Sequence, residues 1–232
     1  MHEARIDLSA VHHNARQLLA QAGSSGIADL RADAYGHGVL EIARTVTDAG
    51  FDTVLVSNER DRRLLRDGGI SDRAIRLPIP AEALPHLVGP ALYGVGAESV
   101  PGLGLAGAMR VSALVTGVKA IDAGEGISYG LTYRVYRRSN LALVPLGYAN
   151  GLHRASSNRG RLTLGGVLRP IAGRVAMNEH VLDLGDDTAE IGDEAVLFGD
   201  GGAHLAEFAA SIGQRPEEVV TGLGMGIRRI YA

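Results

Sequence analysis

The chain has 232 residues, enough for one large domain or two modest ones, with 46% apolar residues, 21% charged residues and a formal net charge of −3. That balance argues against a nucleic-acid binder, which needs surplus Lys and Arg against phosphate, and the absence of Cys excludes a disulfide framework or a thiolate zinc site. No apolar run reaches the roughly 18 residues of a membrane-spanning helix, and the opening MHEARIDLSAVHHN lacks a secretory pattern, so the expectation is a cytoplasmic protein with no membrane partner.

The first 80 residues alternate between helical and extended patterns. Asp7 or Ser9 is placed to cap a helix through VHHNARQLLAQA, with Val11, Leu18 and Leu19 on its apolar stripe. IADLRADAYGHG follows as a buried strand ending in a glycine-flanked loop, and VLEIARTVTDAG as a helix stopped by Gly50. FDTVLVS reads as a strand, NERDRRLLRDGG as a charged amphipathic helix with a solvated face, and AIRLPIP as a third strand. Strands alternating with helices of this length predict βαβ units and a parallel sheet.

Gly89 to Gly107 carries six glycines and reads as a connection. From about Ala108 the chain changes to short β-branched runs separated by Gly, Asn and Asp, with helices only in HLAEFAASIG and PEEVVTGL. This predicts a compact antiparallel β domain. The expected fold class is therefore α/β plus all-β, with domains at 1–95 and 96–232. The eight histidines include no i, i+4 pair beside a carboxylate, so no metal site is expected.

RADAYGHG, Arg31 to Gly38, resembles the pyridoxal-phosphate signature KADAYGHG of alanine racemases, a fold-type III family. ARIDLSAVHHN, LVSNERDRRLLRDGGI, PALYGV, GISYGLTY, VPLGYANG, RPIAGRVAMNEH and IGDEAVLFG resemble further motifs of that family in the same order. The resemblance implies a (β/α)8 barrel holding the cofactor, followed by a β domain that makes a homodimer. A full barrel takes at least about 200 residues, so the first 95 residues imply a partial, barrel-like portion whose sheet edges stay open. A second chain supplying the remaining strands, or an internal deletion, would account for the gap.

The resemblance also assigns roles. Its Schiff-base lysine, which serves as one of two catalytic bases, falls at Arg31, whose guanidinium can neither condense with an aldehyde nor take a proton. Lys119, the only lysine, lies in the expected β domain and reads as an exposed strand residue. The second base falls at Tyr129 and acts across the dimer interface, but the histidine that orients it belongs to the missing stretch. Packing of Tyr129 at a strand end, with its hydroxyl bonded locally, is the plainer expectation. A tyrosine titrating near 10 becomes a base only with strong local help.

Tyr35 and Gly89 correspond to cofactor-phosphate contacts in the resemblance, although structural turn glycines are the plainer reading. Leu87 stands where the family has the arginine facing the pyridine nitrogen, Met225 where it has a phosphate-binding tyrosine, and Asn150 where it has the Asp of GYADG. Met177 and Asn178 stand at its Met-Asp substrate pair. The expectation is a degenerate member, inactive as a racemase, with pyridoxal phosphate or phosphate held non-covalently if at all. The alternatives are an active, pyridoxal-phosphate-dependent alanine racemase completed by a partner chain and supplying D-alanine for cell-wall precursors, or a regulatory module in which Arg31 and Tyr35 clamp a small anion.

Overall fold

The computed structural model describes residues 1–22, 26–78, 81–96, 100–223 and 227–232. Met225 lies outside the described residues. The chain forms two compact units, one of Ile6–Met109 with Tyr231–Ala232, the other of Met1–Arg5 with Arg110–Ile230. Among the described residues no helix is long and apolar enough to cross a membrane.

In the first unit, helix α1 (Leu8–Ala22) begins where the Asp7 Oδ1 accepts from Ala10 N at 2.9 Å, the cap expected of an Asp at this position. Its buried stripe is Val11, Asn14, Ala15 and Leu18, the helical spacing i, i+3, i+4, i+7. Asn14 is the polar member: its side-chain amide donates to Leu92 O and Ala106 O and accepts from Ala106 N, so a buried side chain pins two loop carbonyls to the helix.

Strand β2 (Ile27–Asp29) leads through a short turn (Arg31–Tyr35) to α3 (Val39–Asp48), then β3 (Thr53–Leu55), α4 (Glu59–Asp67) and β4 (Ile75–Arg76). This turn, α2, is left-handed at Ala32, Asp33 and Ala34 and so is not a regular right-handed helix. Asn58 caps α4 by accepting from Asp61 N at 2.9 Å, and Gly50 at φ +113° lets the chain reverse after α3. The strands are shorter than the patterns suggest: IADLRADAYGHG is extended only over β2, and the described part of AIRLPIP only over β4. A fourth strand, β5 (Leu87–Val88), which the sequence patterns did not single out, lies just before the glycine-rich connection and parallel to β2. The sheet order is β4-β3-β2-β5, with all three pairings parallel and β4 and β5 at its edges. Among the described residues this unit has an open four-stranded parallel sheet and not a closed barrel.

In the second unit, β7 (Gly117–Ile121), β10 (Ser139–Val144) and β13 (His180–Gly185) form an antiparallel sheet in the order β13-β10-β7. A six-stranded sheet runs β12-β11-β14-β6-β1-β15, in which β1 is His2–Ile6, β6 Met109–Leu114, β11 Arg161–Leu164, β12 Val167–Pro170, β14 Glu194–Phe198 and β15 Arg228–Tyr231. Gly165 and Gly166, both at positive φ, make the two-residue turn between β11 and β12, a conformation glycine adopts without strain. Helices α5 (Leu205–Ile212) and α6 (Pro216–Gly222) match the two helical patterns near the end of the sequence. Lys119 is exposed on β7, opposite Leu141.

Candidate functional site

Two groups of sequence-predicted residues come together, one in each unit. In the first, β2 ends at Asp29, whose carboxyl is 1% exposed. Arg31 sits two residues on, its side chain about half exposed. Its backbone N–H and Nε–H donate to Asp29 Oδ1 at 3.1 and 2.8 Å, and Nη2 donates to Oδ2 at 2.6 Å. Tyr35 Oη donates to the same Oδ2 at 3.0 Å. The guanidinium is thus held in a two-pronged ion pair, which keeps it charged to still higher pH than a free arginine. Burial, with the Asp29 charge next in size, pushes the Tyr35 hydroxyl up to about 12.

The backbone that delivers these side chains is unusual. Ala32, Asp33, Ala34 and Tyr35 all lie in the left-handed region, at φ +52° to +56°, a conformation costing about 1 kcal/mol or more per residue. Hydrogen bonds hold it: Ala34 N to Leu30 O, Gly36 N to Ala32 O and Gly38 N to Asp33 O, while the Asp33 carboxylate accepts from Val39 N at 2.8 Å and starts α3. Gly38, at φ +97°, has no room for a side chain: a Cβ there would lie 2.0 Å from the Tyr231 hydroxyl. His37 stacks on Tyr93 at 4.4 Å between centroids, and the buried Tyr93 hydroxyl donates to Asp29 O at 2.9 Å. Gly89 backs onto the group, since a Cβ on it would stand 3.4 Å from Tyr35 Oη and 3.7 Å from Asp29 Oδ2.

Arg31, Tyr35 and Gly89 therefore share one place, but the anion clamped by Arg31 is internal. Asp29 and Tyr93 are the members that the sequence patterns missed. The signal for Asp29 was a lone carboxylate in the apolar run IADL, two residues before an arginine.

The second group lies on loops of the other unit. Ser128 Oγ donates to Arg174 O at 2.6 Å, Gly173 N to Asn158 Oδ1 at 2.7 Å and Val175 N to Ser157 Oγ at 3.0 Å. Tyr148 N and Ala149 N donate to Ala176 O and Met177 O at 3.1 and 2.9 Å. Loops 128–131 and 147–151 are thereby both tied to loop 173–179. They present Tyr129, Tyr148 and Met177 at 71%, 41% and 54% exposure, with Asn178 also exposed. The expectation that Tyr129 packs at a strand end is overturned: its ring faces solvent. Asn150 is buried, accepts from Gly147 N at 3.1 Å and donates to His2 Nε2 at 3.2 Å, while His2 Nδ1 donates to Pro145 O at 2.9 Å. Among the described residues no three His, Asp or Glu side chains gather so as to hold a metal.

The family models divide along the same chain. Residues 6–92 match the alanine racemase N-terminal domain and residues 108–231, more than half of the chain, match the alanine racemase C-terminal domain. The chain belongs to the alanine racemase family. It is 41% identical over 198 residues to the alanine racemase of Salinispora arenicola, covering 83% of this chain and 52% of that protein. It is 43% identical over 151 residues to that of Thermobifida fusca, covering 62% and 40%. The chain thus spans about half the length of the curated relatives it matches. Among solved structures, alanine racemase from the D-cycloserine producer Streptomyces lavendulae matches at TM-score 0.89 and 25% identity, covering 100% of this chain and 97% of that one. The Bartonella henselae alanine racemase with covalently bound pyridoxal phosphate shares the fold at TM-score 0.88 and 20% identity.

Proposed function

We propose that this chain is a non-catalytic member of the alanine racemase family that keeps a dimerising β domain. The observation that carries the reading is the two-pronged pairing of Arg31 with Asp29, at the position where the family resemblance places the Schiff-base lysine. Matches to the two domain models at either end of a chain about half the relatives' length support an internal loss from the barrel.

The residues present do not fit covalently held pyridoxal phosphate. A guanidinium cannot condense with the aldehyde. Lys119 is exposed on β7 of the other unit, the Tyr35 hydroxyl is engaged by Asp29, and Leu87 offers hydrocarbon where the resemblance expects an arginine. No step of a racemase reaction is therefore assigned to this chain.

The exposed Tyr129, Tyr148 and Met177, grouped on tied loops, are what a surface that meets a partner displays. A homodimer in the cytoplasm belongs to this proposal. A second reading is favoured by the two open sheet edges, β4 and β5: a separate chain supplies the remaining strands and the assembly racemises alanine.

The deciding experiment adds pyridoxal phosphate to the purified chain, records the absorption spectrum, reduces with borohydride and measures mass and alanine racemisation. The expected result is no bound chromophore, no pyridoxyl adduct at residue 31 and no racemisation. Racemisation by the chain alone overturns the proposal, and racemisation only with a co-purified second protein establishes the other reading.

A further inference from the structure

We infer that Asp29 is the resident anion of the Arg31–Tyr35 subsite, and that its carboxylate closes this subsite to phosphate-bearing ligands. The inference rests on the non-catalytic reading above, which names Arg31 as the altered group. It shifts the decisive role two residues earlier, to the end of β2. A carboxylate has about four lone-pair sites. Those of Asp29 meet four donors from the chain itself: Arg31 N, Nε and Nη2, and Tyr35 Oη. A guanidinium fork with a hydroxyl and a backbone N–H is the donor set that proteins present to small oxyanions.

The location points the same way. Asp29 is the last residue of β2, opposite Leu55 on the neighbouring parallel strand, and ligands of parallel α/β sheets bind at the carboxyl ends of strands. Gly89 leaves the approach beside Tyr35 Oη and Asp29 Oδ2 free of a side chain. The negative charge that an external phosphate would bring is thus already supplied from within, almost wholly buried. A phosphate entering here would compete for donors already taken and face a like charge.

The same carboxylate has a second consequence. A lysine placed at residue 31 would lie beside Asp29 and be held as the ammonium form, which does not attack an aldehyde. Changing Arg31 alone therefore leaves the subsite shut, and removing the carboxylate opens it.

Two measurements test this, with inorganic phosphate and pyridoxal phosphate as probes. In calorimetry at neutral pH the intact chain is expected to show no saturable binding dependent on Arg31. Asp29→Ala or Asp29→Asn is expected to bind at least about tenfold more tightly, and adding Arg31→Ala to either should abolish the gain. In the second measurement, Lys119 serves as an internal standard for borohydride-trapped pyridoxyl adducts. Arg31→Lys should label residue 31 no more than Lys119, whereas Asp29→Ala with Arg31→Lys should label it about tenfold more.

Should the Asp29 variants not fold, the intact chain and Arg31→Lys still decide. No Arg31-dependent phosphate binding together with labelling at the Lys119 level supports the inference. Binding by the intact chain that Arg31→Ala removes, or strong labelling of residue 31 with Asp29 in place, overturns it. So does an Asp29 variant that folds and gains no binding. None of these outcomes requires racemisation, which alone decides the proposed function.

Discussion

The turn after β2 and the loops of the β domain spend their polar groups in opposite ways. Around Asp29 nearly every donor points at an internal acceptor, and side chains carry the order: Arg31, Tyr35 and Tyr93 converge on one residue. Around Tyr129, Tyr148 and Met177 the order comes from backbone groups and small side chains of neighbouring loops, Ser128, Ser157 and Asn158, and the larger side chains are left exposed. The first arrangement directs its converging donors at Asp29, so a ligand would meet them already engaged. The second holds its exposed groups in place without using them. A region whose polar groups are all satisfied internally has stability as its main output, whereas apolar groups fixed outward are available to a partner.

The largest effect that would break this contrast lies at Arg31. Arg31→Ala strands a buried carboxylate with only a hydroxyl and one backbone donor, and should lower unfolding stability by about 3 kcal/mol. Tyr129→Ala, on the exposed loop, should stay within about 0.5 kcal/mol. Urea unfolding of both variants checks the pair; equal losses would mean the turn is not the self-contained structural unit described.

Next in size is the response to acid. Burial holds the His180 imidazole down at about 4, only partly offset by its Nδ1 donating to Leu146 O. Between pH 6.5 and 4 the unfolded chain carries a proton on this group that the folded chain does not. Stability from this residue is therefore full above pH 6.5 and is lost as pH falls, by roughly 2 kcal/mol between pH 6.5 and 5. The difference in urea midpoint between pH 7 and pH 5 should shrink in His180→Gln, and an unchanged difference would contradict a buried neutral imidazole.

The smallest predicted effect sharpens the contrast from the loop side. A Cβ at Gly147 would stand 2.3 Å from Met177 O, a backbone atom that can move only with its loop. Gly147→Ala should cost about 1–2 kcal/mol and should raise protease cutting within 147–151 and 173–179, leaving 29–38 protected. Uniform protection after the change would show that the loops do not depend on that close approach.

Much of the architecture was legible in the sequence because it rests on short-range rules. The Asp7 and Asn58 caps, the apolar faces of α1 and α3, the reversal at Gly50 and the change to β-rich segments near Ala108 each depend on residues a few positions apart. Strand β5 was hidden because two residues just before a glycine-rich connection carry no periodic signal, and only pairing with Ile27 and Ala28 makes them a strand. Tyr129 was legible as a motif residue but not as an exposed one, because exposure depends on whether a neighbouring loop covers the ring.

The family resemblance and the presence of an arginine at residue 31 are properties of the sequence by itself, and so is the chemical fact that this side chain cannot do what an amine does. What the arginine does instead is decided only by the tertiary structure. A left-handed turn brings residues 31 and 35 back onto the end of β2, and burial makes the Asp29 carboxylate require donors that water would otherwise supply.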